Sequence, residues 1–219
     1  PTTVRGGATV AVPGAAALGG AALTLDNGTL AVAASDTLAG AISRGGGGGI
    51  FRSAAGQTLQ LGATVSGAGG LTKAGAGTVA LGASAGGYAG ATTSEGGTLA
   101  VPAMPAGAVI LGRGTLAFTG VSGASAQPVT VASGTNAAVL RAEGDLTLSG
   151  LFSAASGALI KRGAGTLTLA GANTNRLGFG NASNMNAAAA ASADGDGPSA
   201  GYGDRKSTRL NSSHITTSY

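Results

Sequence analysis

The chain has no cysteine and no tryptophan, a single histidine, and only 3% aromatic and 9% charged residues among its 219 positions. Without cysteine there can be no disulfide, no thiolate nucleophile and no Cys-ligated metal. That absence does not identify a compartment. A Ser-His-Asp triad or a His-ligated metal would have to use His214, which stands in a C-terminal stretch unlike the rest of the chain, so no catalytic role is expected of it. Scarce aromatics remove the usual anchors of enzyme cores and interfaces. No run of 18 or more large apolar residues exists to form a membrane-spanning helix. The sequence begins at Pro1 with no charged segment followed by an apolar run. A piece of a longer chain would look the same.

Charge excludes another class. The formal net charge is +4, but three of the twelve basic residues (Arg205, Lys206, Arg209) lie in the last fifteen positions. Residues 1–203 carry nine basic and seven acidic side chains, and the basic ones are scattered singly apart from the adjacent Lys161 and Arg162. They make no stripe that could follow a phosphate backbone, so no nucleic-acid partner is expected.

Glycine and alanine are abundant instead, with 43 Gly and 48 Ala. Glycine shows no strict every-third pattern, which excludes a collagen triple helix. In a helix interior each Gly costs about 1 kcal/mol relative to Ala, so the composition points away from helix. The larger apolar residues recur in pairs two apart: Val10/Val12, Leu23/Leu25, Leu30/Val32, Leu59/Leu61, Val79/Leu81, Leu99/Val101, Leu116/Phe118, Val129/Val131, Leu146/Leu148 and Leu167/Leu169. Residues two apart on a strand share one face, and clusters of Gly, Asn, Asp or Ser bound nearly every pair, as strand punctuation does.

The Thr that opens the recurring strand falls at Thr29, Thr58, Thr78, Thr98, Thr115 and Thr166, with Asp145 in the equivalent slot of the last gap. A spacing near 20 is one coil of a β-solenoid, in which each coil stacks on the one before, about 4.8 Å further along. The fold expected is all-β, a parallel β-solenoid of roughly 20-residue coils, with eight or nine coils between Thr2 and Thr174 and the apolar pairs forming ladders inside.

One segment returns almost whole. Gly69-Gly70-Leu71-Thr72-Lys73-Ala74-Gly75-Ala76-Gly77-Thr78-Val79-Ala80-Leu81 reappears as Gly157-Ala158-Leu159-Ile160-Lys161-Arg162-Gly163-Ala164-Gly165-Thr166-Leu167-Thr168-Leu169. A shorter echo, Gly-Thr-Leu-Ala-Val/Phe, occurs at Gly28 to Val32, Gly97 to Val101 and Gly114 to Phe118. Recurrence on this scale marks a stacked, repeating fold. The run from Gly69 to Val101 resembles the autotransporter-associated β-strand repeat of bacterial autotransporter passenger domains. Leu71 to Leu81, Tyr88 to Thr92 and Gly97 to Val101 carry the likeness, although Ala83-Ser84-Ala85 replaces the usual Asn-Thr. The second copy matches from Leu159 to Leu169 and continues to Thr174, after which Asn175 stands where Tyr is usual.

That resemblance implies a right-handed parallel β-helix and a structural, non-enzymatic passenger segment. It also implies an extracellular or cell-surface location on a Gram-negative bacterium and a separate C-terminal outer-membrane β-barrel, absent from this sequence. It implies help with the protein's own export, through ladders at Leu71, Val79, Leu81, Leu99, Val101, Leu159, Leu167 and Leu169, and a further adhesive role toward a host surface or polysaccharide. Two alternatives stand beside it: a fragment of a solenoid enzyme acting on polysaccharide, and a low-complexity Gly/Ala structural polymer.

No catalytic, cofactor-binding or metal residue is expected. The acidic residues before residue 176 are Asp26, Asp36, Glu95, Glu143 and Asp145; Glu143 and Asp145 could share a strand face as a carboxylate pair, but Gly144 between them favours a solvated turn. Lys73 and Lys161 hold equivalent places in the two good repeats and read as solvent-facing turn residues. The pentaglycine Gly45 to Gly49 lacks the Gly-Lys-Ser/Thr of a phosphate-cradling loop and reads as a corner. Asp194-Gly195-Asp196-Gly197 lacks the later ligands of a calcium loop. Asn27-Gly28-Thr29 fits the glycosylation pattern but reads as a turn and strand start. Three segments are expected: the β-helix at 1–175, a linker or low-complexity stretch at 176–203, and a disordered, non-native tail at 204–219. That tail contains no Gly or Ala and resembles translated sequencing-adapter read-through.

Overall fold

The computed structural model describes residues 1–86, 88–132, 138–154 and 159–171, together with the backbone of two strands at Asn186–Ala189 and Ser213–Thr216. The chain winds into a parallel β-solenoid with three strand-bearing faces that follow one another in a fixed order, although the coils between Val65–Gly67 and Ser122–Ser125 carry no described strand on the first face.

The first face begins with Thr2–Arg5, Leu23–Asp26, Ile42–Arg44 and Val65–Gly67. Its place in the coil order is taken up again by Ser122–Ser125, Asp145–Leu148 and Leu167–Leu169. The second face is continuous: Thr9–Val12, Gly28–Val32, Gly49–Ser53, Leu71–Ala74, Thr92–Ser94, Val109–Leu111, Val129–Val131 and Phe152–Ala154. The third comprises Asp36–Leu38, Thr58–Leu61, Thr78–Leu81, Thr98–Val101, Thr115–Phe118, Ala138–Ala142 and Leu159–Arg162. Further on, Ser213–Thr216 pairs antiparallel with Leu167–Leu169 and with Asn186–Ala189.

Eight strands on the second face make about seven turns, against eight or nine coils expected. Residues stacked there are Thr9, Thr29, Ile50, Thr72, Thr93, Ile110, Thr130 and Ser153, so successive coils take 20, 21, 22, 21, 17, 20 and 23 residues. The parallel ladder fixes the rise per coil, and the corners absorb the variation in length.

Alternation does what the sequence predicts. Leu23, Leu25, Leu30, Val32, Leu59, Leu61, Val79, Leu81, Leu99, Val101, Leu116, Phe118, Val129, Val131, Leu146, Leu148, Leu167 and Leu169 are all buried in one continuous core. Val10 and Val12 are only partly buried, because they lie on the first coil with no coil beneath them. Small residues let the corners stack. A Cβ added at Gly90 would sit 2.0 Å from the carbonyl oxygen of Gly69 one coil below, nearer than any side chain can approach a backbone.

The threonine register needs a correction. Thr58, Thr78, Thr98 and Thr115 do stack on the third face. Thr29 belongs to the second face, between Thr9 and Ile50. Thr166 and Asp145 precede the stacked Leu167 and Leu146 of the first face, while the slot after Thr115 on the third face is Val139. The motif is therefore carried on three different faces. In the two good repeats the strand pair Leu71–Ala74 and Thr78–Leu81 occupies the second and third faces, whereas Leu159–Arg162 and Leu167–Leu169 occupy the third and first. The unit is two strands and a corner, and it fits any adjacent pair of faces.

Candidate functional site

The middle coils hold a polar belt inside an otherwise apolar core. Arg44, Ser53, Lys73, Thr92 and Ser94 are all buried there, with Tyr88 beside them. Their positions follow from alternation: Ile42/Arg44, Phe51/Ser53, Leu71/Lys73 and Thr92/Ser94 are inward pairs in which one or both members are polar. A search for paired large apolar residues passes over them.

Lys73 overturns the expectation of a solvent-facing residue. It points inward with no exposed surface, and its Nζ donates to the carbonyls of Ala74 at 2.7 Å, Gly75 at 2.8 Å and Gly96 at 3.0 Å. An ammonium has three donors, so it closes the corner between the second and third faces from within. Burial pushes its pKa down to about 8, because taking a charge out of water disfavours the charged form. Lys161 also faces inward, stacked on Leu140, and donates to the carbonyl of Gly163. It is only partly buried. Burial lowers its pKa as well, against the raising effect of Glu143 and Asp145.

Arg44 is the second buried cation. Its Nη1 donates to the carbonyl of Gly69 at 2.7 Å, and its guanidinium carbon lies 4.0 Å from the centre of the Tyr88 ring. Gly67 is stacked on Arg44, and a Cβ there would sit 2.0 Å from the Arg44 carbonyl oxygen. Tyr88 in turn shares a hydrogen bond of 2.7 Å with Thr92. The Arg44 Nε and Nη2 atoms have no partner among the described residues, and burial lowers the group's pKa.

The acidic residues serve the backbone. Asp36 accepts from the Ala16 amide at 2.8 Å and the Thr37 amide at 2.7 Å, and the Ala16 bond leads in holding its pKa below the usual carboxylate value. Asp145 accepts from the Thr166 amide at 2.8 Å, with the same effect. Glu143 pairs with Arg141 on the surface. Glu143 and Asp145 thus engage different partners and form no carboxylate pair. Asp26 holds the pentaglycine by accepting from the Gly47 amide at 2.8 Å. The amides of Gly45, Gly48 and Gly49 bond to the carbonyls of Leu25, Gly45 and Gly70. Four of those five amides are engaged within the fold, so the segment is a corner.

Among the described residues, no three His, Asp or Glu side chains gather as a metal site. His214 lies in Ser213–Thr216, of which only the backbone is described, and Asp194 to Gly197 lie outside the described residues.

What recurs along the chain is the ladder itself. Two segments match the passenger-associated-transport-repeat. They are residues 71–101 and 159–176. In the structure the first match begins at Leu71 on the second face and runs through one full coil to Val101 on the third. The inward-facing lysines belong to the repeat too, since Lys73 and Lys161 each stand at its third matched position. The repeat and the parallel solenoid together fit an autotransporter passenger segment, and the repeat's family suggests a structural role and implies secretion or surface display in Gram-negative bacteria. No curated protein and no solved structure matches the chain.

Proposed function

We propose that this chain is a structural segment of an autotransporter-like passenger, displayed outside the outer membrane and assisting its own export. The reading is carried by the first repeat match. Within residues 71–101 every strand pairs in parallel with a strand of the preceding coil, so each coil is a template for the next. A chain emerging from a membrane pore can gain these pairings one coil at a time, since a solenoid's stability is approximately a sum of nearest-neighbour terms. Folding outside then opposes slippage back.

The anchor is a C-terminal β-barrel in the longer protein, and residues 204–219 are adapter-derived sequence standing in place of the native continuation. Resequencing the gene from source DNA past the codon for Gly203 tests both points. Continuation into further repeats and then a barrel supports them, and a native stop after Tyr219 overturns them.

Export is tested by placing residues 1–175 between a signal peptide and an autotransporter barrel. Surface display, read by protease shaving of intact cells, is expected to fall several-fold when residues 71–101 are deleted. An unchanged yield of displayed protein overturns the export role.

A further inference from the structure

We propose that the third face binds an acidic polysaccharide through Arg141 and Arg162. This goes beyond the reading as a structural passenger segment and does not depend on the export route, because it is a property of the folded face alone.

The two arginines are stacked directly on one another on neighbouring coils, in the outward column that continues from Gln60, Ala80, Ala100 and Ala117. Both are exposed. Beside them runs the column of Thr78, Thr98, Thr115 and Val139. An open groove of about 460 Å³ is lined by Thr98, Thr115, Val139, Arg141 and Arg162. Its lining comes from four successive coils, so it runs along the solenoid axis.

Three features set the ligand's chemistry. Like charges directly opposite one another on paired strands are destabilising, and among the described residues only Arg141 of the two has a carboxylate partner, Glu143. An anion between the guanidinium groups removes that repulsion. Guanidinium presents a planar fork that takes carboxylate or sulfate through two parallel hydrogen bonds, and the Thr98 and Thr115 hydroxyls can both donate and accept. The third feature is repetition: coils stack at about 4.8 Å, close to the rise of one sugar residue in an extended chain, so a polymer with regularly spaced acidic groups meets successive coils in register. Stacking on aromatic rings plays no part. Among the described residues Phe51, Tyr88, Phe118 and Phe152 are all buried.

The test is retention of the full 219-residue chain in native gels containing dextran sulfate, polygalacturonate or uncharged dextran at low salt. One or both acidic polymers should retard it and dextran should not; which of the two retards it tells sulfate from carboxylate. The double variant R141Q/R162Q should weaken binding at least about tenfold, and Glu143→Gln should strengthen it. R5Q/R52Q, which removes the same charge from two other faces, should change it by less than about threefold. Circular dichroism melting confirms that each variant is folded. Four results overturn the proposal: a folded wild-type chain that neither acidic polymer retards, equal retardation by uncharged dextran, equal loss in the two double variants, or equally tight binding to phosphatidylglycerol vesicles.

Discussion

The ammonium of Lys73 reaches across to the next coil and donates to the carbonyl of Gly96 at 3.0 Å. A residue that reads in the sequence as an exposed turn lysine is thus an internal clamp between two coils. Replacing it tests that directly. Lys73→Met retains the bulk but leaves the carbonyls of Ala74, Gly75 and Gly96 without this donor, and a buried polar group left unpaired costs about 1–3 kcal/mol. Urea unfolding followed by circular dichroism should therefore show a loss of at least about 2 kcal/mol. Lys161→Met, at a partly buried site with one carbonyl acceptor, should lose less than about 1 kcal/mol. Equal losses at the two positions would refute the clamp.

The same lysine gives a pH signature. Its pKa is about 8 in the fold and about 10.4 in the unfolded chain. Between those values the unfolded state holds more protons, so stability rises with pH. The rise from pH 8 to 10 should be on the order of 1–2 kcal/mol, since the carbonyl bonds hold part of the charge in place. Above pH 10 the sign reverses for Tyr88, whose pKa burial raises; there the folded state holds the extra proton and stability falls. Urea midpoints measured from pH 7.5 to 10 should climb in the wild type and climb less in Lys73→Met.

Arg44 should behave in the opposite way from Lys73. Two of its three guanidinium nitrogens are buried without a partner among the described residues, and its attraction to the Tyr88 ring is worth about 0.5–2 kcal/mol. Replacing a poorly compensated buried charge by an apolar side chain of similar volume is often neutral or stabilising, by about 1–4 kcal/mol. Arg44→Met is therefore expected to leave the melting midpoint unchanged or to raise it. A loss as large as that of Lys73→Met would show that the Gly69 carbonyl and the Tyr88 ring compensate the buried charge in full.

Corner stacking predicts a sharp difference between two glycines. Gly90→Ala forces a methyl group against the Gly69 carbonyl of the coil below, whereas a Cβ at Gly46 meets nothing within 4 Å. The first substitution should cost more than about 3 kcal/mol, in the range of severe backbone incompatibilities. The second should stay within about 0.5 kcal/mol. Thermal melts of the two variants side by side decide the point.

The sequence by itself determined the strands, the inward ladders and the length of a coil. Alternation two residues apart states which side chains share a face whatever the surroundings, and Leu99/Val101 or Leu146/Leu148 could point only inward once one face is buried. Recurrence near every 20 residues stated the coil, because stacked strands must return to the same place on each turn. Only the tertiary structure decided which of three faces each strand joins. Thr29, Thr78 and Thr166 share one local motif yet come to rest on the second, third and first faces, since a two-residue period carries no information about how a corner turns. It alone placed Lys73 and Arg44 inside. A basic residue is ordinarily exposed, and the carbonyls and the aromatic ring that hold these two come from positions up to 44 residues away, as Arg44 and Tyr88 show.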